Sequence, residues 1–430
     1  MKIQNVKGGY DFLPKEQRIR NYINNILKDT FERYGYQPIE TPILCYFDML
    51  AGKYDDNNDI LKEIYKLTDQ GERQLGLRYD LTVPFAKFIA LNKNKIKYPF
   101  KRYEINKVFR DGPVKVGRDR EFTQCDVDVV GIGGEIIEAE LISLYVEAFN
   151  KLQIPIIIKY NSRKLMSGLI LESGIKEELI SSTITIIDKI TKLTDEEITK
   201  YFLDIGLNSK QITKLLEYFK LDLKELTKRF KKTNNTILLE GINEINNLTK
   251  YLRKLKLLKY TVFTPSLARG QDYYTGNVFE VYESTGKLTG SIGGGGRYDK
   301  MITNFINDGN LYPATGISFG LTSIFALLKD REELNKDTNL DIFVIPMNTP
   351  IESLKIVNEL RTMGFKVDME MENKKIKKSL DYANKEKIPY VIIIGEDEIK
   401  NKYLKLKSMS DGNEYLINFN NLDKIKSIIN

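Results

Sequence analysis

Histidine is absent from all 430 residues. That excludes Ser-His-Asp and Cys-His catalysis and every imidazole-ligated metal site. Reactive chemistry must come from carboxylates, arginines, hydroxyls or a metal carried in by a substrate. Cysteine is almost absent. Cys45 and Cys125 lie far apart and offer neither a disulfide framework nor zinc-type spacing, so a reducing, cytoplasmic location is expected. Long apolar runs are missing too: stretches such as Val391 to Ile394 fall far below the ~20 residues of a membrane helix. The opening MKIQNVKGGYDFLP has no apolar core of secretion-signal length, and no membrane association is expected.

What is there points to a multidomain globular chain. At one domain per ~100–200 residues, 430 residues suggest two to four domains, and a hydrophobic share of 42% can fill their cores. Lys and Arg exceed Asp and Glu by 66 to 59, a net charge of +7. This suits a polyanionic partner only mildly. Richness in Lys, Ile and Asn can equally reflect coding bias, so charge alone does not name RNA.

Helical spacing over residues 14–35, with Pro14 at the start and Gly35 at the stop, predicts a helix. YQPIETPIL reads as an extended, proline-marked strand. EIYKLTDQGERQLGLRYDLT reads as a hairpin turning at Gln70-Gly71, with a strand ending at LRYDLT. KRYEINKVFRD and REFTQCDVDVVG read as two strands joined by the loop from Asp111 to Gly117. In the second strand Phe122, Gln124, Asp126 and Asp128 share one face. A buried sheet face is normally apolar, so this face is expected to front a ligand. Glu135 to Leu152 reads as a helix. Residues from about 163 to 258 read as a helical insertion, and Pro313 to Leu328 as a strand or turn entering a helix. Residues 331–339 read as a polar linker. Beyond it, strands and helices alternate as βαβαβ, which implies a compact α/β unit with a largely parallel sheet.

The stretch carrying most chemistry is ARGQDYYTG, Ala268 to Gly276. Arg269 offers a planar fork suited to carboxylate or phosphate. Tyr273 and Tyr274 offer flat walls with polar tips. A strand and the run SIGGGGRYD follow, ending at Tyr298 and Asp299. No GK[ST] follows the glycines, so the run is not a P-loop. It reads as backbone lying close against a ligand, with a tight turn as the alternative. Arg110, Arg118, Arg120 and Phe122 fall within thirteen residues, a pattern that suits a phosphate site.

This chain resembles the histidyl-tRNA synthetases, class II enzymes with a similar ARG-x-DYYTG signature. The resemblance is nearly end to end and includes KGGYDFLP, YGYQPIETP, LRYDLTVPFAK, KRYEINKVFRDGPVKVGRDREFTQCDVDVVG and GGGGRYD. It implies an α+β catalytic domain over residues 1–330, with an antiparallel sheet, helices and the insertion at about 163–258. It also implies an α/β anticodon-binding-like domain over 340–430. A homodimer is implied, with its interface at the segment containing Pro42. So is histidine activation by ATP, with Mg²⁺ arriving on the nucleotide, followed by transfer to the tRNA 3′ end. The attacking carboxylate is already ionised, so this reaction needs no general base.

By the same resemblance, Arg110 grips the ATP α-phosphate and the amino-acid carboxylate, and Arg269 stabilises charge at the α-phosphate. Arg118 and Arg120 serve ATP, with Arg118 at the γ-phosphate, and Phe122 stacks on adenine. Asp80, Thr82 and Gln124 receive the amino group. Asp128 accepts an imidazole N–H, with Tyr273 opposite it and Tyr274 and Tyr298 lining the pocket. Lys374, Lys375, Lys377 and Lys378 suit RNA phosphates. No metal ligands are assigned to the chain.

Two departures stand out. The last motif of the family ends in Glu-Arg, whereas Gly320, Leu321, Thr322 and Ser323 stand here and the arginine is missing. Gly112 replaces an acid, with Asp111 before it. One alternative is therefore a catalytically impaired, histidine-sensing regulatory paralogue, and another is a pure RNA-binding module. The paralogue typically lacks the C-terminal domain that is present here, which favours an active ligase.

A histidine-free chain that charges tRNA with histidine does not need its own product for its own synthesis. Pulse-labelling of histidine-starved cells is expected to show continued synthesis of this chain. Arrest in step with histidine-containing proteins contradicts the advantage.

Overall fold

A computed structural model describes residues 3–51, 59–114, 119–190, 193–269, 273–334 and 338–429. The chain divides into two compact units, one of Met1–Asp11 with Arg20–Leu328 and one of Phe12–Ile19 with Lys329–Asn430.

In the first unit the strands are β1 (Gln37–Pro38), β2 (Leu44–Tyr46), β3 (Lys66–Thr68), β4 (Gln74–Leu77), β5 (Phe100–Phe109), β6 (Glu121–Val130), β7 (Ile156–Ser162), β8 (Thr261–Phe263), β9 (Asn277–Glu283), β10 (Gly293–Arg297) and β11 (Ala314–Gly320). Eight of them form one sheet in the order β1-β5-β6-β11-β10-β9-β7-β8. Its interior ladders are antiparallel, and only β1 on β5 and β8 on β7 run parallel. β2, β4 and β3 make a separate sheet of three strands.

One strand predicted over YQPIETPIL is in fact two short ones. Between them the Thr41 N–H goes to the Glu104 carboxylate at 3.0 Å instead of into a ladder. The predicted hairpin forms, with Asp69 Oδ1 accepting from the N–H groups of Gly71 and Arg73. Its second strand stops at Leu77, however, and a helix begins at Thr82 and runs to Asn92.

One face of the large sheet is closed by aromatic packing. Phe319 lies 5.5 Å from Phe31 of the helix Pro14–Arg33, and 4.7 Å and 5.4 Å from Tyr145 and Phe149 of the helix Glu135–Lys151, ring centre to ring centre. All four rings are fully buried, and such pairs add to the gain from area burial alone. The other face is left for the site.

The insertion is helical as predicted. Thr194, Asn208 and Asp222 each open a helix with a reciprocal capping box. The helices Arg163–Glu172 and Thr236–Lys254 cross with glycine at the crossing point. A Cβ at Gly241 would sit 2.1 Å from Leu165 N, and one at Gly168 would sit 2.5 Å from Leu238 Cα. Arg297 joins this pair to the sheet through Glu244 at 3.1 Å, and reaches Glu138 of the helix Glu135–Lys151 at 2.5 Å.

The second unit holds β12 (Ile342–Pro346), β13 (Val367–Met369), β14 (Tyr390–Ile394), β15 (Tyr403–Ser408) and β16 (Glu414–Asn418), in the order β13-β12-β14-β15-β16. The expected parallel sheet covers only β13, β12 and β14. β15 and β16 run antiparallel, because a short helix and a hairpin replace a crossover. Lys374, Lys375, Lys377 and Lys378 are all exposed, and Lys374 pairs with Glu372 at 2.8 Å.

Gly241→Ala is expected to lower stability by about 1–3 kcal/mol despite the better helix propensity of alanine. Thermal unfolding measures it; an unchanged or raised midpoint contradicts the close crossing.

Candidate active site

Antiparallel register aligns the open face into rungs. One rung runs Arg102, Asp128, Gly316, Gly296; the next runs Glu104, Asp126, Ser318, Gly294, Glu280; a third holds Asn106, Gln124 and Gly320. The polar face expected on REFTQCDVDVVG is thus real and continues across five strands.

Its centre is a buried ion pair. Arg102 is 0% exposed, lies 2.6 Å from Asp128 and 3.8 Å from Glu104, and covers the Phe85 ring at 4.2 Å. The Tyr298 hydroxyl donates to Asp128 Oδ1. Gly316 makes room for this carboxylate, since a Cβ there would come within 1.8 Å of Oδ1. Beside the pair, the equally buried Arg78 binds Glu104 at 3.1 Å and donates to the carbonyls of Lys107 and Thr41, both at 2.7 Å. Arg78, Arg102 and Glu104 were missed by sequence reasoning. The signal was two charges at alternate positions, 102 and 104, in a strand beside another bearing charges at 126 and 128.

Burial raises both aspartates. Asp126 is pushed up to about 7, with Arg102 opposing the shift and Asp128 and Asp80 adding to it. Asp128 is also raised by burial, against the pull of Arg102 and the Tyr298 hydroxyl.

The aromatic wall stands on the glycine strand. β10 is neither a turn nor a bare cradle: its glycines admit protein side chains. A Cβ at Gly294 would lie 2.0 Å from Arg269 Nη1, and one at Gly296 would lie 2.9 Å from the Tyr274 ring. The Arg269 guanidinium therefore lies close over Gly294, 3.6 Å from Glu280 and 5.8 Å from the Tyr274 ring centre. Tyr273 sits 4.7 Å from Tyr274 and meets Tyr298 edge-on at 6.0 Å. Gly270, Gln271 and Asp272 lie outside the described residues.

At the far end of β6, the Arg110 guanidinium sits between Tyr79 at 4.2 Å and Phe122 at 4.8 Å. Its Nε is buried and finds no hydrogen-bond partner among the described residues. The Phe122 surface expected to take adenine thus carries Arg110 here. Arg120 turns to its own loop, donating to Gly112 O at 3.3 Å and pairing with Asp111 at 3.4 Å. Arg118 lies outside the described residues. Asp80 is buried and accepts from Val83 N at 3.0 Å, which starts the helix whose first residue is Thr82. Gln124 Oε1 is a buried acceptor with no partner among the described residues. Ser323 sits in the first turn of the helix Leu321–Leu328, near Gly320.

Gln124, Asp128, Arg269, Tyr273, Tyr274 and Tyr298 therefore gather around one open face, with Phe122 further along β6 and Arg110, just after β5, stacked on it. From Phe122 to Asp128 this spans about 20 Å at strand rise, enough for an amino acid joined to a nucleotide. Among the described residues no cluster of three or more Cys, Asp or Glu side chains is arranged to hold a metal.

An antiparallel sheet with a polar open face, two guanidinium groups and an aromatic wall is the architecture of a class II aminoacyl-tRNA synthetase. A family model described as histidyl-tRNA synthetase matches residues 8–324, and one described as anticodon binding domain matches residues 341–427. The chain is 45% identical to histidine–tRNA ligase 1 of Bacillus cereus over 99% of each chain, and 43% identical to histidine–tRNA ligase 2 of Shouchella clausii over 97% of this chain and 98% of that one. A solved histidyl-tRNA synthetase from a Nostoc species covers all of both chains with a TM-score of 0.85 at 29% identity. The chain belongs to the histidyl-tRNA synthetase family.

An acid whose folded pKa is raised loses stability as pH climbs from its unfolded value to its folded one. For Asp126 that window runs from the ordinary carboxylate range to about 7. Asp126→Asn is expected to flatten the fall in ligand-free stability between about pH 4 and about pH 7, read by urea unfolding. An unchanged slope contradicts the assignment.

Proposed function

We infer that this chain is a histidine–tRNA ligase. It activates histidine with ATP to histidyl-adenylate, releases pyrophosphate, and passes the histidyl group to the terminal ribose of tRNA. The carrying observation is that guanidinium groups and buried carboxylates, drawn from segments far apart in sequence, share one face of one sheet. Two anions must meet for the carboxylate oxygen to attack the α-phosphorus. Arg110 and Arg269 cancel their repulsion and take up the charge that grows there. The imidazole lies at Asp128, whose carboxylate is oriented by Arg102 and Tyr298, with Tyr273 and Tyr274 as walls. A competitor lacking the ring N–H leaves a buried acceptor unpaired, which discriminates strongly. Asp80, Thr82 and Gln124 serve the amino group; Arg118, Arg120 and Phe122 serve ATP. Mg²⁺ enters with the nucleotide as part of the substrate.

Residues 340–430 serve as the tRNA-reading part, supported by the exposed lysines near the helix Ile376–Lys385. The active form is a homodimer in the cytoplasm. Support for the dimer comes from Ile43, Leu44 and Tyr46, which stay 37%, 49% and 58% exposed in the proline-marked segment.

The missing arginine at Ser323 and the glycine at Gly112 are the features favouring a histidine-sensing regulator. Histidine-dependent ATP–pyrophosphate exchange separates the two readings. Wild type is expected to exchange, and Arg269→Ala to lose about 100-fold or more. No exchange at saturating histidine and ATP contradicts catalysis.

A further inference from the structure

β6 carries a carboxylate that the assignments above leave without a role. Asp126 is 4% exposed, and its Oδ1 finds no hydrogen-bond partner among the described residues. Its side chain is served by the Ser318 hydroxyl, the register partner on β11. The two fully buried arginines nearby are engaged with other acids, Arg78 with Glu104 and Arg102 with Asp128. A buried acceptor without a donor is unfavourable unless something that binds supplies one. Gln124 Oε1, two residues earlier on the same face, is in the same condition. Two neighbouring acceptors therefore face the site without donors.

The order of groups along β6 says which part of a ligand passes them. Asp128 and Tyr298 stand at one end, and Phe122 with Arg110 at the other. A histidyl-adenylate with its ring at the first end and its nucleotide at the second carries its α-carbon past Asp126 and Gln124. Across the rung, Arg269 lies over Gly294, where the carboxylate and phosphate meet. The charge sum agrees. Arg78, Arg102, Arg110 and Arg269 stand against Glu104, Asp126, Asp128, Glu280 and the nearby Asp80, so the face carries one more acid than base, which a cationic group would balance. Asp80, expected to hold the amino group, commits Oδ1 to the Val83 N–H.

We propose that Asp126 accepts the α-ammonium of the bound amino acid, together with Gln124, and is a specificity-determining residue of the activation step. This rests on the ligase reading given above. Asp126 then tells an α-amino acid from an analogue that keeps the imidazole and carboxylate but lacks the ammonium.

The test uses the full-length chain and the variant Asp126→Asn, with Asp126→Ser as a second variant should the first not fold. Calorimetric titration compares histidine with imidazole-lactate, in which a hydroxyl replaces the ammonium, the latter read by competition. Exchange kinetics supply KM values. The variant is expected to weaken histidine binding and raise its KM by about tenfold or more, the worth of one hydrogen bond to a charged group. The KM for ATP stays within about twofold and imidazole-lactate binds as before, which a merely structural role for Asp126 would not give. Wild-type affinity for histidine in a folded variant overturns the proposal. An equal loss for both ligands also overturns it, because Asp126 would then serve the ring or the fold. If wild type binds histidine but shows no exchange, the ligase reading fails on its own, and the two titrations still decide the role of Asp126.

Discussion

The pairing of Arg102 with Asp128 is the constraint on which the site depends. Both groups are taken from water, at a desolvation cost of several kcal/mol per ion that only close geometry and further hydrogen bonds offset. The 2.6 Å approach, the Tyr298 hydroxyl and the Phe85 ring beneath the guanidinium supply that geometry. An apolar pair of equal volume would hold the sheet as well or better. What the ions add is a carboxylate fixed in orientation beside Tyr298, whose ring meets Tyr273 edge-on.

Glycine makes this possible on the neighbouring strands. Gly316 clears space for Asp128, Gly294 for Arg269 and Gly296 for Tyr274. Glycine in a strand interior weakens it, and the loss is made good on the opposite face. There Phe319 packs among Phe31, Tyr145 and Phe149. The sheet is thus two surfaces with separate tasks. One supplies the packing, and the other carries charged side chains and buried polar atoms, such as Gln124 Oε1 and Asp126 Oδ1, that have no hydrogen-bond partner among the described residues.

Much of this is legible in the amino-acid sequence alone. The alternation Phe122, Gln124, Asp126, Asp128 declared a polar face, and the period of the insertion declared helices. Arg102 and Glu104 stayed hidden because strand register is set by long-range pairing, and a charged pair in KRYEI looks like any solvated edge. The glycine strand was read as a cradle or turn because glycine has low strand propensity; its neighbours, not its own preference, place it in the sheet. The helix from Thr82 was missed although Pro84 falls in its first turn, where proline is tolerated. The last sheet was expected to be largely parallel because a βαβαβ order dominates its first half, and the closing hairpin changes its character.

A double-mutant cycle on Arg102→Met and Asp128→Asn, followed by urea unfolding at neutral pH, tests the central claim most directly. Each single change is expected to cost about 3–5 kcal/mol, because it strands its partner without compensation, and the double variant to cost clearly less than the sum. Costs that simply add would show that the two groups do not act as a pair, and the account of the pocket built on them would be wrong.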